Sequence, residues 1–263
     1  MKKIFKLFDL KNKNVVITGA CGLIGKEFVN AFKEVGSNIA IVDLPNKKPK
    51  EFSHKLTKLK SINGYTCDIS HHEEIKNLLS SILSDFISVD VLINAAQYKP
   101  EGFLTSDIDD FPLKLWNDII RVNLTGTFLT SQVFGNQMIK QGKGSIINLA
   151  STYGVVSSNP WLYNNNNMGN PIAYTASKGG VIMMTKYLAT YWAKKNVRVN
   201  CLTPHGVFND QEQEFIKRFS QLSPMGRMMK KEELVGAAMF LASDASTYMT
   251  GENLMVDGGW TSW

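Results

Sequence analysis

The chain has 263 residues, a net charge of +6, 44% hydrophobic and 20% charged residues, enough for one large α/β domain spanning 1–263, with no linker or composition shift to mark a second. Its lysines are spread among glutamates without a long basic run, which excludes a nucleic-acid footprint and leaves part of the charge available to an anionic substrate or a pyrophosphate. Cys21, Cys67 and Cys201 lack metal or disulfide spacing and suit a reducing cytoplasm; no apolar window is long enough for a membrane span, and Lys6, Asp9, Lys11 and Lys13 interrupt the N-terminal apolar stretch.

In chain order, residues 15–17 form a short β-branched run that predicts a buried strand. Gly19, Gly22 and Gly25 follow in a turn, and residues 26–35 have an amphipathic helical pattern closed by Gly36. Strand, glycine turn and helix together make a phosphate cradle, because glycines let the backbone approach a ligand and a helix start offers free N–H groups. The next predicted strand, 39–42, ends at Asp43, which is placed to accept hydrogen bonds from adenosine ribose hydroxyls and to repel a 2′-phosphate. NAD is therefore favoured over NADP, although Lys47 and Lys48 stand close enough to hold a phosphate and an aspartate after a strand also serves as a turn residue. Further buried strands are predicted at 89–93, 145–149 and 198–202, alternating with helical segments. This alternation predicts a three-layer α/β fold, a doubly wound parallel sheet of the Rossmann type.

The most informative pair is Tyr174 and Lys178, whose spacing of four places both on one helical face. An ammonium near a phenol favours the phenolate, bringing proton exchange closer to neutral pH. That is the chemistry that hydride transfer to or from a carbonyl requires.

With these motifs in hand, the chain resembles the single-domain short-chain dehydrogenase/reductases along nearly its whole length. The markers come in family order: Gly19 to Gly25, Asp68-Ile69, Asn94-Ala95-Ala96, Asn123, Ser151, Tyr174 and Lys178, Pro204, and Asp257-Gly258-Gly259. The resemblance implies that Tyr174 exchanges a proton with the substrate oxygen and that Ser151 hydrogen-bonds the same oxygen. It also implies that Lys178 holds the nicotinamide ribose and that Asn123 binds a water linking Lys178 to solvent. For the cofactor it implies contacts with the turn through Gly19, Cys21, Leu23 and Ile24, with Asp43, with Asp68 and Ile69 beside the adenine, with Asn94, Ala95 and Ala96 beneath the adenosine, and with Pro204 and Val207 near the nicotinamide. No metal site is expected.

Several positions depart from the family pattern. The middle glycine of the turn sits one place early, as in sugar-nucleotide epimerases and dehydratases, and Leu23 takes the usual glycine place. Gln97 stands where glycine is usual after Asn-Ala-Ala, adding a polar side chain at the cleft. His205 interrupts the usual Pro-Gly, and a loop histidine is more often solvated or hydrogen-bonded than catalytic. The spacing from Ser151 to Tyr174 is about twice the usual, so 155–172 contains an active-site insertion centred on 157–171. Trp161, Tyr163, the asparagines 164–167 and Met168 would line or cover the pocket, where aromatic faces and amides suit a hydroxyl-rich ligand; the alternative is an asparagine-rich surface loop. Residues 207–228 would form a substrate lid.

Three functional classes follow. The first is an NAD(P)-dependent oxidoreductase interconverting a secondary alcohol and a ketone, on a sugar or sugar derivative (with some likeness to enzymes of bacterial surface-sugar and flagellin modification) or, alternatively, on a 3-oxoacyl carrier protein. The second is a nucleotide-sugar epimerase or dehydratase, which the short stretch of chain after Lys178 disfavours. The third is a dinucleotide-binding regulator without turnover, for which the set Asn123, Ser151, Tyr174 and Lys178 would be superfluous. The resemblance also implies a homotetramer or homodimer built on the helices carrying Asn123 and Tyr174, with Trp260 and Trp263 as C-terminal contacts.

Overall fold

The computed structural model describes residues 3–57, 61–103, 108–164 and 172–263. Seven strands form one parallel sheet: β1 (Asn14–Thr18), β2 (Asn38–Asp43), β3 (Ile62–Thr66), β4 (Val91–Asn94), β5 (Gly144–Leu149), β6 (Val197–Pro204) and β7 (Asn253–Val256). Their order is β3-β2-β1-β4-β5-β6-β7, so the winding reverses between β1 and β4. In an open parallel sheet that reversal leaves a crevice at the carboxyl ends of the strands.

Alternation along the strands explains the layers. Val15, Ile17, Ile39, Ile41, Val91 and Ile93 point to one face, where Phe28 and Phe32 of α1 (Leu23–Glu34) and Ala238 and Leu241 of α8 (Val235–Ala242) cover them. Val16, Ala40, Val42, Leu92 and Ile146 point to the other face, packed by Ile75 and Ile82 of α3 (His72–Phe86), Phe134 and Met138 of α5 (Thr127–Gln141) and Leu188 and Trp192 of α6 (Ile172–Trp192). Burial on both faces is why the central strands are continuous apolar runs.

Strand β3 is absent from the sequence expectation because Ile62-Asn63-Gly64-Tyr65-Thr66 lacks an apolar run. It is an edge strand, and Gly64 is required by packing: a Cβ there would lie 2.3 Å from the carbonyl oxygen of Pro49, at the start of α2 (Pro49–Leu56). Trp260 is also placed differently from the expectation. It is buried with Leu162, Phe215, Phe219 and Met228, so of the two C-terminal tryptophans only Trp263 is exposed. No helix among the described residues is long and apolar enough to cross a membrane.

Candidate active site

The cleft begins at the turn between β1 and α1. Gly19 has φ +66°, and a Cβ on it would lie 2.6 Å from Cα of Ala96, so only glycine lets the turn sit against the end of β4. A Cβ on Gly25 would come 2.2 Å from the Gly19 carbonyl oxygen, which explains the third glycine. Helix α1 starts after Gly22, which supplies no side-chain cap, leaving first-turn N–H groups for a ligand. Asp43 accepts from the backbone N–H of Cys21 and of Leu44, each at 2.9 Å. Those bonds fix the carboxylate at the C-terminal end of β2 and use about two of its four lone-pair sites.

At the centre of the cleft, the Ser151 hydroxyl stands beside the Tyr174 phenol, close enough to favour its ionised form. Ser151 also caps the 3-10 turn Thr152–Gly154 by accepting from the Tyr153 N–H at 3.2 Å. The Tyr174 ring is held edge-on by Phe103, centroids 5.7 Å apart. One helical turn on, the buried Lys178 Nζ lies 5.6 Å from the Tyr174 ring centroid and donates to the carbonyl of Leu149 at 2.7 Å. Burial drives both groups: it pushes the phenol up to about 12, with the Ser151 hydroxyl opposing, and pushes the ammonium down to about 8. Tyr174 is therefore a neutral phenol near neutral pH rather than the expected phenolate, because Lys178 is turned to a backbone carbonyl and burial dominates at the phenol.

Asn123 lies in a π-helical turn, Arg121–Gly126, between α4 (Leu113–Ile120) and α5. The Thr127 hydroxyl donates to its carbonyl at 2.8 Å, its Oδ1 accepts from the Tyr98 N–H at 2.8 Å, and its buried Nδ2 has no partner. A wide helical turn with an unsatisfied buried donor is a recurrent mark of functional positions.

The far wall is aromatic. The hydroxyls of Tyr153 and Tyr163 meet at 2.8 Å, and burial pushes both phenols up. His205 is clamped between Phe219 and Trp260, with centroids 4.2 and 4.0 Å away, and its Nδ1 meets the Thr152 hydroxyl at 2.9 Å. Burial pushes the imidazole down to about 3, so it is neutral, and its buried Nε2 has no partner. The whole cleft encloses about 620 Å³ and is continuous from Asp43 past Ser151 and Tyr174 to His205.

This geometry has close counterparts. The family model described as enoyl-(acyl carrier protein) reductase matches residues 19–261. An NAD-dependent glycerol dehydrogenase of Listeria innocua is 31% identical over 97% of this chain and 96% of its own. A crystal structure of a short-chain dehydrogenase from Leptospira borgpetersenii with bound NAD+ superposes with a TM-score of 0.85 at 34% identity, covering 96% of this chain and 94% of that one. The chain belongs to the short-chain dehydrogenase/reductase family. A gluconate 5-dehydrogenase from Burkholderia cenocepacia, in complex with NADP and tartrate, superposes with a TM-score of 0.89 at 27% identity over 99% of both chains.

Measured against the expected site of a short-chain dehydrogenase/reductase, Gly19, Leu23, Ile24, Asp43, Asp68, Ile69, Ala95 and Ala96 line the cleft around the β1–α1 turn and the ends of β2, β3 and β4, and Ser151, Tyr174, Lys178, Pro204 and Val207 line its centre. Three expected residues do not. Cys21 packs against the core beneath the turn and reaches the site only through its N–H to Asp43. Asn94 turns inward, donating to Asn148 Oδ1 at 2.8 Å and accepting from the Thr130 hydroxyl at 2.8 Å. Asn123 sits behind the wall. Of the insertion, Tyr163 lines the cleft and Trp161 lies outside it, while residues 165–171, including three of the asparagines and Met168, fall outside the described residues. Lys99 and Tyr153 also line the cleft, and neither is singled out by the sequence. Each is two residues from a position that is, Gln97 and Ser151.

Proposed function

We propose that this short-chain dehydrogenase/reductase interconverts a secondary alcohol and a ketone on a polyol or sugar-type substrate, with NAD preferred to NADP and Tyr174 as the group that exchanges the proton. The observation that carries this reading is the convergence of Ser151, Tyr174 and the buried Lys178 ammonium at the centre of one cleft. The polyol assignment is supported by the relatives, a glycerol dehydrogenase and a gluconate 5-dehydrogenase, and by the neutral polar wall of His205, Tyr153 and Tyr163.

The cleft fits a nicotinamide dinucleotide. The uncapped start of α1 suits a pyrophosphate, Asp43 keeps lone pairs for ribose hydroxyls, and Lys178 is near enough to the centre to hold the second ribose. When bound, the dinucleotide supplies or accepts the hydride. The protein's part is proton handling and orientation. In reduction, Tyr174 gives its proton to the carbonyl oxygen while the Ser151 hydroxyl donates to the same oxygen and fixes its place. The resulting phenolate is stabilised by the Lys178 ammonium, and Asn123 Nδ2 holds a water through which the proton is replaced from solvent. In oxidation the same groups run in reverse.

Residues 207–228 with α7 (Gln213–Leu222) act as a substrate lid, and the described part of the insertion, residues 155–164, lies against it through Arg218. The outer face of α6 presents Met183, Tyr187 and Tyr191 at successive helical turns, all exposed, which supports a homodimer or homotetramer on that face. Three free cysteines suit a reducing cytoplasm.

Tyr174→Phe tests the mechanism. Turnover should fall by about 10²- to 10⁴-fold while the NADH dissociation constant stays near the wild-type value. Retained turnover removes Tyr174 from the proton step. Parallel assays with 3-oxoacyl thioesters separate the polyol reading from the carrier-protein one.

A further inference from the structure

The cleft has two electrically different halves. The carboxylates Asp43 and Asp68 lie in the half around the β1–α1 turn, with Lys47 and with Arg121, which bonds the Ser70 hydroxyl at 3.3 Å. Beyond Ser151, the charged side chains among the described lining residues are Lys178 and Lys99, and no carboxylate faces either one. Lys178 is directed at a backbone carbonyl. Lys99 has no ion pair or hydrogen bond among the described residues.

Two ammonium groups share this part of the cleft without a carboxylate among the described lining residues, and so oppose each other. Lys99 is solvent-accessible as a residue, yet the atoms crowding its ammonium hold its pKa below the ordinary lysine value, and its charge helps to lower that of Lys178. An anion bound between the wall and the catalytic centre removes this opposition. The neighbouring groups have a different chemistry: the buried Nε2 atoms of Gln97 and His205 are unpartnered and belong to neutral side chains, which suits hydroxyls. His205 is also held rigidly by its two aromatic neighbours and Thr152.

We infer that Lys99 anchors the anionic group of a polyhydroxylated substrate, a terminal carboxylate or phosphate, while Gln97 and His205 take its hydroxyls. The inference rests on the polyol reading above and narrows it from neutral polyols to sugar acids or sugar phosphates. Lys99 acts by binding and takes no part in proton transfer.

The test uses three six-carbon polyols differing in one terminus: sorbitol, gluconate and sorbitol 6-phosphate. The wild-type enzyme should favour one charged member over sorbitol by about 30-fold in kcat/KM, the size expected of one charge-assisted contact; which member is favoured separates carboxylate from phosphate. Lys99→Met should bring the ratio within about threefold of unity by raising KM for the charged member with kcat kept, and Lys99→Arg should restore it. The same three compounds are titrated into the enzyme with NADH bound, following nicotinamide fluorescence. Equal binding and use of sorbitol and both charged compounds by the wild type overturns the Lys99 assignment and leaves the polyol reading intact, as does an equal loss for all three in Lys99→Met. Preferential, Lys99-dependent binding of a charged compound without turnover sustains the assignment and removes the polyol-oxidation reading.

Discussion

Removing the Arg218 side chain should release the insertion from the lid helix. Its guanidinium stacks 5.5 Å from the Trp161 ring centroid, donates to the Trp161 carbonyl at 3.1 Å and to the Asn164 carbonyl, and is oriented by Glu214 at 3.0 Å. The side chain is only 13% exposed. Two bonds to neutral carbonyls, each at the typical net value of about 1 kcal/mol, contribute about 2 kcal/mol, and the cation–π contact adds about 0.5–1 kcal/mol. Glu214, half-exposed, contributes little of its own. Arg218→Ala should therefore destabilise docking of residues 160–164 by about 2–3 kcal/mol, a rise of about 30- to 150-fold in the open population. Hydrogen exchange reads this directly. Protection of the Leu162 N–H, bonded to the Asn159 carbonyl at 3.1 Å, should fall by that factor, while amides of β5 and β6 keep theirs. KM for substrate should rise with the NADH dissociation constant unchanged. Protection within about threefold of wild type would show that the hydrophobic cluster of Leu162, Phe215, Phe219 and Trp260 docks the segment alone, and would refute the clamp.

Asp43→Ser should weaken NADH binding and strengthen NADPH binding, shifting their ratio by at least about 10-fold in parallel titrations; an unchanged ratio would locate cofactor choice elsewhere, with Lys47 the first suspect. Burial holds Lys178 at about 8 against an ordinary 10.5, so above pH 8 the folded protein releases a proton that the unfolded chain keeps until about pH 10.5, and this residue's contribution to stability rises across that window. Activity runs the other way. Tyr174, near 12, stays protonated throughout, so kcat/KM for reduction should be level near neutrality and fall above about pH 8 as the ammonium is lost; a profile still level at pH 10 would contradict the role given to Lys178. Gly25→Ala places a Cβ against backbone at 2.2 Å and should cost about 2 kcal/mol, a fall of about 4–8 °C in Tm, with loss of NADH affinity. Gly236→Ala in α8 meets nothing within 4 Å and should raise stability by about 0.5–1 kcal/mol. Equal Tm changes for the two alanines would remove the packing argument for the turn.

What was legible in the sequence follows from the range of the forces involved. Strands β1, β2, β4, β5 and β6 show as apolar runs because both their faces are buried, and the glycine turn and the Tyr174–Lys178 pair show because their spacing is local. Strand β3 is invisible because Gly64 answers to α2, a neighbour in space. The same holds for the electrostatics: Lys178 and Tyr174 are four apart in sequence, but the Leu149 carbonyl, brought by β5, decides where the ammonium points. The π-helical turn at Asn123, the inward rotation of Asn94 into a network with Asn148 and Thr130, and the unpaired Lys99 depend on contacts between distant segments and leave no periodic trace. Trp260 reads as a surface aromatic near the C-terminus until Phe219 and His205 are seen to enclose it.

The most direct test of the account is the initial rate of nicotinamide absorbance change with purified protein, NAD+ or NADP+, and a panel of neutral polyols, sugar acids and sugar phosphates, run beside NADH or NADPH with 3-oxoacyl thioesters. The account predicts NAD+-dependent oxidation of at least one hydroxylated substrate, abolished in Tyr174→Phe. Binding of NADH with no turnover on any polyol, or turnover confined to NADPH and 3-oxoacyl thioesters, would contradict it.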